Sequence, residues 1–104
     1  MSTFDQREKD FERKFAHDEE LRFKATARRN KLLGLWAAEK LGKSGADADA
    51  YARDVVAADF EEAGDEDVFR KVAKDLAGKA SEQDVRTAMV DLMAKAIDQV
   101  QKGV

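Results

Sequence analysis

The sequence predicts an all-α protein, a compact four-helix bundle preceded by a mobile N-terminal arm that can become helical. Three observations lead to this fold class. The 104 residues are rich in strong helix formers, contain no proline and are 39% charged. Glycines follow successive apolar segments, as they do where helices end. The apolar residues between those glycines recur at spacings of three and four, and no segment alternates as a strand would.

The predicted body covers residues 19–104 and follows an arm at residues 1–18. Its four helices are expected at about 19–41, 46–63, 66–77 and 82–102. The first three are expected to end before Gly42, Gly64 and Gly78. Capping residues stand at the other three starts: Ser44 with Asp47, Asp65, and Ser81 with Asp84. Short connections then make neighbouring helices antiparallel.

The first helix has the least regular pattern. Its inward positions are predicted to be Leu21, Ala25, Leu32, Leu35 and Trp36. Arg28 interrupts that stripe, and we expect it either to reach solvent at the end of the bundle or to pair with the acidic second helix. Gly34 costs about 1 kcal/mol relative to alanine inside a helix, so it is expected at a close contact with a neighbouring helix. The alternative for Arg28 is an anion site formed with Arg29 and Asn30.

The charges are strongly segregated. Residues 21–38 carry five basic side chains and no acidic one, whereas residues 47–67 carry nine acidic side chains and one basic one. In one interpretation the two segments face each other in the bundle. In the other, the basic segment binds an anion or an acidic surface of a partner. A sequence pI near 5.2 disfavours nucleic acid as a partner.

Several functional classes find no support. The absence of cysteine removes disulfides and thiolate chemistry. The sequence contains neither an apolar stretch long enough to span a bilayer nor a secretory signal, so we expect a cytoplasmic protein without direct membrane insertion. The one histidine, His17, lies in a charged stretch, and residues 17–20 would point all round a helix rather than at one metal. The stretch LGKSG at 41–45 lacks the first glycine and the preceding strand of a P-loop. No metal site, required cofactor or enzymatic activity is predicted.

The arm carries a stripe of three phenylalanines among eight charges. On a helix, Phe4, Phe11 and Phe15 lie close to one direction, because their spacings are seven and four. A helix of this length is marginal in water, so the arm either packs on the body or becomes ordered in a partner's groove. We favour the second interpretation.

The sequence from Phe4 to Gly42 resembles the signature of the ζ subunit, the ATPase-inhibitor family of α-proteobacterial F-type ATP synthases. The most specific stretches are KFAHDEEL at 14–21 and ARRNKLLGLWAAE at 27–39. YARDVVAADFEEAG at 51–64 and DVFRKVAKDLAGKA at 67–80 are similar to the same family. Thr26, where an acidic residue is expected, is a minor departure.

The resemblance implies a four-helix bundle whose N-terminal segment enters a catalytic αβ interface of the synthase head, next to γ, and stops ATP hydrolysis. On this chain Phe4, Phe11 and Phe15 would be the anchors, and the bundle would be the stop that cannot follow. The basic arm residues expected to engage acidic surface of the head are Arg7, Arg13 and Lys14. The family resemblance also implies weak ADP or ATP binding by the bundle, which we place at Arg28, Arg29 and Asn30.

Two other functions stay open at this point. The chain could be a small adenine-nucleotide-binding bundle that acts as a sensor or adaptor without strong inhibition. It could also be a generic structural bundle whose arm packs on its own body. The inhibitor would be peripheral to the inner membrane through the synthase.

Overall fold

The computed structural model describes residues 19–59 and 65–103, and in these two ranges all regular secondary structure is helical. The helices are α1 (Glu19–Lys40), α2 (Gly45–Ala58), α3 (Glu66–Asp75) and α4 (Glu82–Lys102). The predicted all-α class with four helices is confirmed. The predicted arm, Gly64 and the end of the second predicted helix at 60–63 lie outside the described residues. In the described ranges no helix is long and apolar enough to cross a membrane.

The helix boundaries follow local signals. Gly42 and Gly78 have φ of 77° and 83°, a left-handed conformation that glycine adopts without strain, and both follow a helix end. The predicted capping box at α4 is present: Ser81 Oγ accepts from the Asp84 amide, and the Asp84 carboxylate accepts from the Ser81 amide. The cap predicted at Ser44 makes no side-chain hydrogen bond. The third helix ends at Asp75, two residues before the predicted end, because the chain turns toward Gly78.

Helix α1 is the centre of the bundle, since it contacts each of the other three helices. The described hydrophobic core draws on all four helices and the turn after α3. It comprises Leu33, Ala37, Ala38, Tyr51, Val55, Val68, Phe69, Val72, Leu76, Val85, Ala88 and Met89.

The inward face predicted for α1 is only part of the face that packs on the bundle, since Trp36 packs against the core but the most deeply buried positions lie elsewhere. Ala25 is buried, but the face continues through Arg29, Leu33 and Ala37, whereas Leu32 and Leu35 are half-buried. Leu21 and Trp36 are half-buried as well. The physical reason is that a helix packed on three sides buries a broad face, and part of that face is polar here. A hydrophobic stripe therefore does not mark it.

Polar contacts attach the short helix α3 to its neighbours. The Tyr51 hydroxyl of α2 donates to Asp75 Oδ2 at 2.8 Å, and Lys71 Nζ lies 3.2 Å from the same oxygen. Burial and this hydrogen bond raise the pKa of Tyr51 above its ordinary value. On the other side, the Arg86 guanidinium of α4 stacks 3.7 Å from the centre of the Phe69 ring.

Gly34 lies at a backbone contact between α1 and α2, as the sequence analysis predicts. A Cβ on Gly34 would lie only 2.5 Å from Ala52 Cα and 3.0 Å from Ala52 Cβ. The nearest atom belongs to the backbone, so a side-chain rotation cannot relieve the overlap. Glycine therefore sets the distance between the two helices.

We expect Gly34→Ala to lower the free energy of unfolding by about 1–3 kcal/mol, because the α1–α2 contact must open to admit the methyl group. The gain in helix propensity, about 1 kcal/mol, offsets only part of that loss. Chemical denaturation monitored by circular dichroism measures the change. Glu39→Ala on an exposed position of α1 is the control, with an expected change within about 0.5 kcal/mol. An equally stable Gly34→Ala variant would contradict the close contact.

Candidate functional site

Arg29 is a buried cation in the middle of the bundle. Its side chain is 3% exposed, and its Nη2 donates to Asp65 Oδ1 at 2.8 Å. Its Nε donates to the Oδ1 of Asn30, also at 2.8 Å, and Asn30 is fully buried. Asp65 directly precedes α3 at the N-cap position, but its carboxylate makes no capping hydrogen bond. The ion pair therefore links the middle of α1 to the start of α3.

A second carboxylate, Asp59, lies near the same guanidinium at the end of α2. Burial raises the pKa of the Asp59 carboxyl, the Arg29 charge opposes that rise, and repulsion from Asp65 and Asp67 adds to it. The resulting pKa is above its ordinary value. The amide nitrogen of Asn30 favours the charged form of Asp59, but it makes no hydrogen bond of ordinary geometry within the described part of the chain. Arg29 thus attracts the carboxylates at both ends of the α2–α3 connection.

The three residues proposed for an anion site are not equivalent. Arg29 and Asn30 are buried and bonded to each other, whereas Arg28 is half-buried at the surface. Arg28 Nη1 donates to Gln99 Oε1 of α4 at 3.0 Å. This contact corrects the alternative in which Arg28 pairs with the acidic second helix. Nucleotide binding at these residues stays a prediction. Arg28 lines a surface depression of about 520 Å³, whereas Arg29 lines a separate one of about 330 Å³ together with its partner Asp65.

A cationic groove runs along the surface of α1 between α2 and α4. Two adjoining depressions of about 520 and 410 Å³ share Lys31 and Val56 and form one groove. It is lined by Phe23, Lys24, Ala27, Arg28, Lys31, Asp49, Ala52, Arg53, Val56, Val100 and Gly103. Four of these side chains are cationic and one is a carboxylate, although the whole chain has a net charge of −3.

Sequence reasoning missed Arg53 as a site residue, and it also missed the role of Asp59 and Asp65 as counter-charges. Arg53 is the one basic residue in the acidic segment 47–67, and its position beside Lys31 follows from how α1 and α2 pack. A weak signal exists for the two aspartates, because they flank the predicted connection between the second and third helices. Nothing in the sequence says which basic residue they face.

The arm residues proposed to bind a partner all lie outside the described residues. They are Phe4, Arg7, Phe11, Arg13, Lys14 and Phe15. Among the residues that the structure describes, no group of three or more histidine, cysteine or acidic side chains could hold a metal ion.

The comparisons with known proteins agree with the resemblance seen in the sequence. A family model described as "ATPase inhibitor subunit zeta" matches residues 1–99. An NMR solution structure of a protein 60% identical in sequence superimposes with a TM-score of 0.75, covering 81% of this chain and 99% of that one. No curated protein matches the chain.

The two aspartates around Arg29 should have opposite effects on stability. The Arg29 hydrogen bond holds the pKa of Asp65 below its ordinary value of 3.8, against the effect of burial. Ionised Asp65 therefore stabilises the fold above that pH, and this contribution is lost as the pH falls through the lower folded-state pKa. For Asp59 the folded-state pKa is raised, so its cost is absent below pH 3.8 and grows as the pH rises through the folded-state value.

We therefore expect Asp65→Asn to lower the melting temperature at about pH 7 and Asp59→Asn to raise it. The Asp59→Asn difference should disappear as the pH falls to 3.8, and the Asp65→Asn difference should shrink below pH 3.8, as the pH approaches the lowered folded-state pKa. Thermal unfolding followed by circular dichroism across this pH range measures both curves. A lower melting temperature for Asp59→Asn at neutral pH would show that its attraction to Arg29 outweighs burial and repulsion.

Proposed function

Because the chain belongs to the ATPase inhibitor subunit zeta family, we propose that it blocks ATP hydrolysis by the head of an F-type ATP synthase. In this proposal the N-terminal segment enters a catalytic αβ interface, where it folds as a helix and contacts the β and γ subunits. The protein works in the cytoplasm on the peripheral part of the synthase. The family is one of inhibitor subunits, which favours regulation rather than catalysis by this chain.

The observation that carries the proposal is the extent of the family match. It begins at residue 1, so it includes the stripe of Phe4, Phe11 and Phe15 as well as the helical body. Burial of three phenylalanine rings supplies roughly 5–9 kcal/mol, at about 1.5–3 kcal/mol each. Ordering the segment takes back about 2–5 kcal/mol. The remainder supports binding of weak to moderate strength, to which Arg7, Arg13 and Lys14 would add charge pairing with acidic surface of the head.

The body has a separate part in this mechanism. Helix α1 begins at Glu19, directly after the proposed arm, so the arm joins the bundle at one end of its central helix. A bundle of four packed helices is too wide to follow a single helix into a subunit interface. We propose that the bundle stops the arm at a fixed depth and so holds the inhibitor at the interface, where the arm blocks rotation in the hydrolytic direction.

We expect the combined change Phe4→Ala, Phe11→Ala and Phe15→Ala to abolish inhibition, because it removes the apolar anchors. Deletion of residues 1–16 should have the same effect. The assay is ATP hydrolysis by the isolated synthase head from the same organism, titrated with each variant. The matched control is Gln6→Ala, Lys9→Ala and Asp10→Ala, which would lie on the opposite face of an arm helix and leaves the net charge unchanged.

The control variant should inhibit like the wild type. If the phenylalanine variant still inhibits fully, the arm is not the inhibitory element. If the wild type itself does not inhibit, the alternative of a nucleotide-binding bundle becomes the better function.

The second candidate function is weak binding of ADP or ATP by the body, as a sensor or adaptor. Its specific support is Arg28, whose guanidinium bonds to a neutral amide and keeps its positive charge at the surface of a groove. Phosphate oxygens are the acceptors that a guanidinium binds best. Arg29 and Asn30 would then act indirectly by fixing the α1 backbone, since the Arg29 guanidinium is already bonded to Asp65 and to the Asn30 oxygen.

We expect Arg28→Ala to weaken nucleotide binding about tenfold, the loss that corresponds to about 1.4 kcal/mol of a charged hydrogen bond. Amide chemical shifts followed during an ATP titration give the affinity. Lys95→Ala on α4 is the control, because it removes one exposed charge away from the groove. Equal affinity of Arg28→Ala and the wild type would place the nucleotide elsewhere.

A further inference from the structure

We propose that the cationic groove on α1 is a docking surface for an acidic amphipathic helix of a protein partner, and that this helix lies on the synthase head. The inference rests on the proposed function for the identity of the partner. It is argued from the body alone, because the described residues that line the groove all belong to the body.

The first argument is charge complementarity. Lys31 and Arg53 are exposed and have no ion-pair partner in the described ranges, and Arg28 bonds only to the neutral Gln99 side chain. Lys24 has a carboxylate partner, Glu20, but both side chains are largely exposed, so that pair is weak. An acidic chain thus keeps a locally cationic surface, and among the described residues that line it Asp49 is the single carboxylate.

The second argument is the extent of the groove, which exceeds a single anion. Lys24, Arg28 and Lys31 follow one another at spacings of four and three, so they form a row along one face of α1. At 1.5 Å per residue the row spans about 10 Å, and Arg53 adds a further cation from α2. One phosphate or carboxylate cannot contact charges spread over that length. A helix with carboxylates at similar spacing can.

The third argument is the apolar floor. Between the cations the groove is lined by the apolar side chains of Ala27, Val56 and Val100. An apolar floor with a charged rim is the arrangement in which an amphipathic helix lays its apolar face into a groove and sets its direction by the flanking charges. A purely electrostatic contact with a polyanion would leave these apolar groups unused.

The direct test uses the full-length protein with Lys24→Glu, Lys31→Glu and Arg53→Glu. The matched control carries Lys74→Glu, Lys79→Glu and Lys95→Glu, exposed residues outside the groove, so that both variants have the same net charge. Binding to the isolated head is measured by fluorescence anisotropy without nucleotide, because a nucleotide could compete for the groove. Inhibition of ATP hydrolysis is measured in parallel, and circular dichroism checks that each variant is folded.

We expect the groove variant to bind and inhibit about tenfold or more weakly than the wild type, and the control to change about threefold or less. Wild-type binding should also weaken with added salt, more steeply than that of the milder variant Lys31→Ala with Arg53→Ala. That variant keeps the test valid if the triple reversal does not fold.

The outcomes separate this inference from the proposed function. Equal inhibition by the wild type and the groove variant would overturn the docking surface and keep the inhibitor. Binding of the wild type without inhibition, lost in the groove variant, would keep the docking surface and overturn the inhibitor. If neither the wild type nor the groove variant binds the head, both the docking surface and the inhibitor function are overturned. If the groove variant shifts the amide resonances of residues 4–15 in the free protein, the arm itself occupies the groove, and the partner helix is overturned.

Discussion

The bundle depends on the way it neutralises Arg29. Moving a guanidinium from water into a protein interior costs several kcal/mol, and the cost is offset only when hydrogen bonds and opposite charge surround it. Asp65 and Asn30 supply those hydrogen bonds, and Asp59 adds attraction from a greater distance. Because the two aspartates stand at the ends of the α2–α3 connection, one cation in α1 fixes where α2 stops and α3 starts. Without the Arg29 charge, the carboxylates at the two ends of the α2–α3 connection would repel one another.

The face of α1 that packs against α2 carries small residues. Gly34 allows α2 to approach until its backbone at Ala52 touches the α1 backbone, and Ala37 and Ala38 are fully buried further along α1. A close approach of this kind leaves no room for long side chains between the helices. The basic residues of α1 therefore either enter the interior fully, as Arg29 does, or stay at the edge, as Lys31 does. The cationic groove is a direct consequence of this packing.

The sequence predicts those features that depend on a few neighbouring residues. The capping box at Ser81 and Asp84 forms as predicted because its two hydrogen bonds join residues three apart. The close contact at Gly34 was also predictable, because glycine destabilises a helix interior and is therefore expected where a neighbouring helix leaves no room for a side chain. The cap expected from Asp65 fails for a tertiary reason: its carboxylate is taken by Arg29. The polar part of the α1 inward face, Arg29 and Asn30, was missed for a similar reason, since the burial of polar groups depends on partners distant in the chain.

Two adjacent residues of the basic segment, Arg28 and Arg29, lie in different environments. Arg28 and Arg29 stand about 100° apart on the helix, so one step along the chain moves a guanidinium from the surface to the interior. Arg29 faces the acidic corner, which is the arrangement expected if the basic and acidic segments pair internally. Arg28 faces the groove, which is the arrangement expected if the basic segment meets another molecule. The two interpretations of the sequence were therefore not exclusive. Internal pairing takes up the positive charge of Arg29, and the basic residues left at the surface of α1 give an acidic protein a cationic groove.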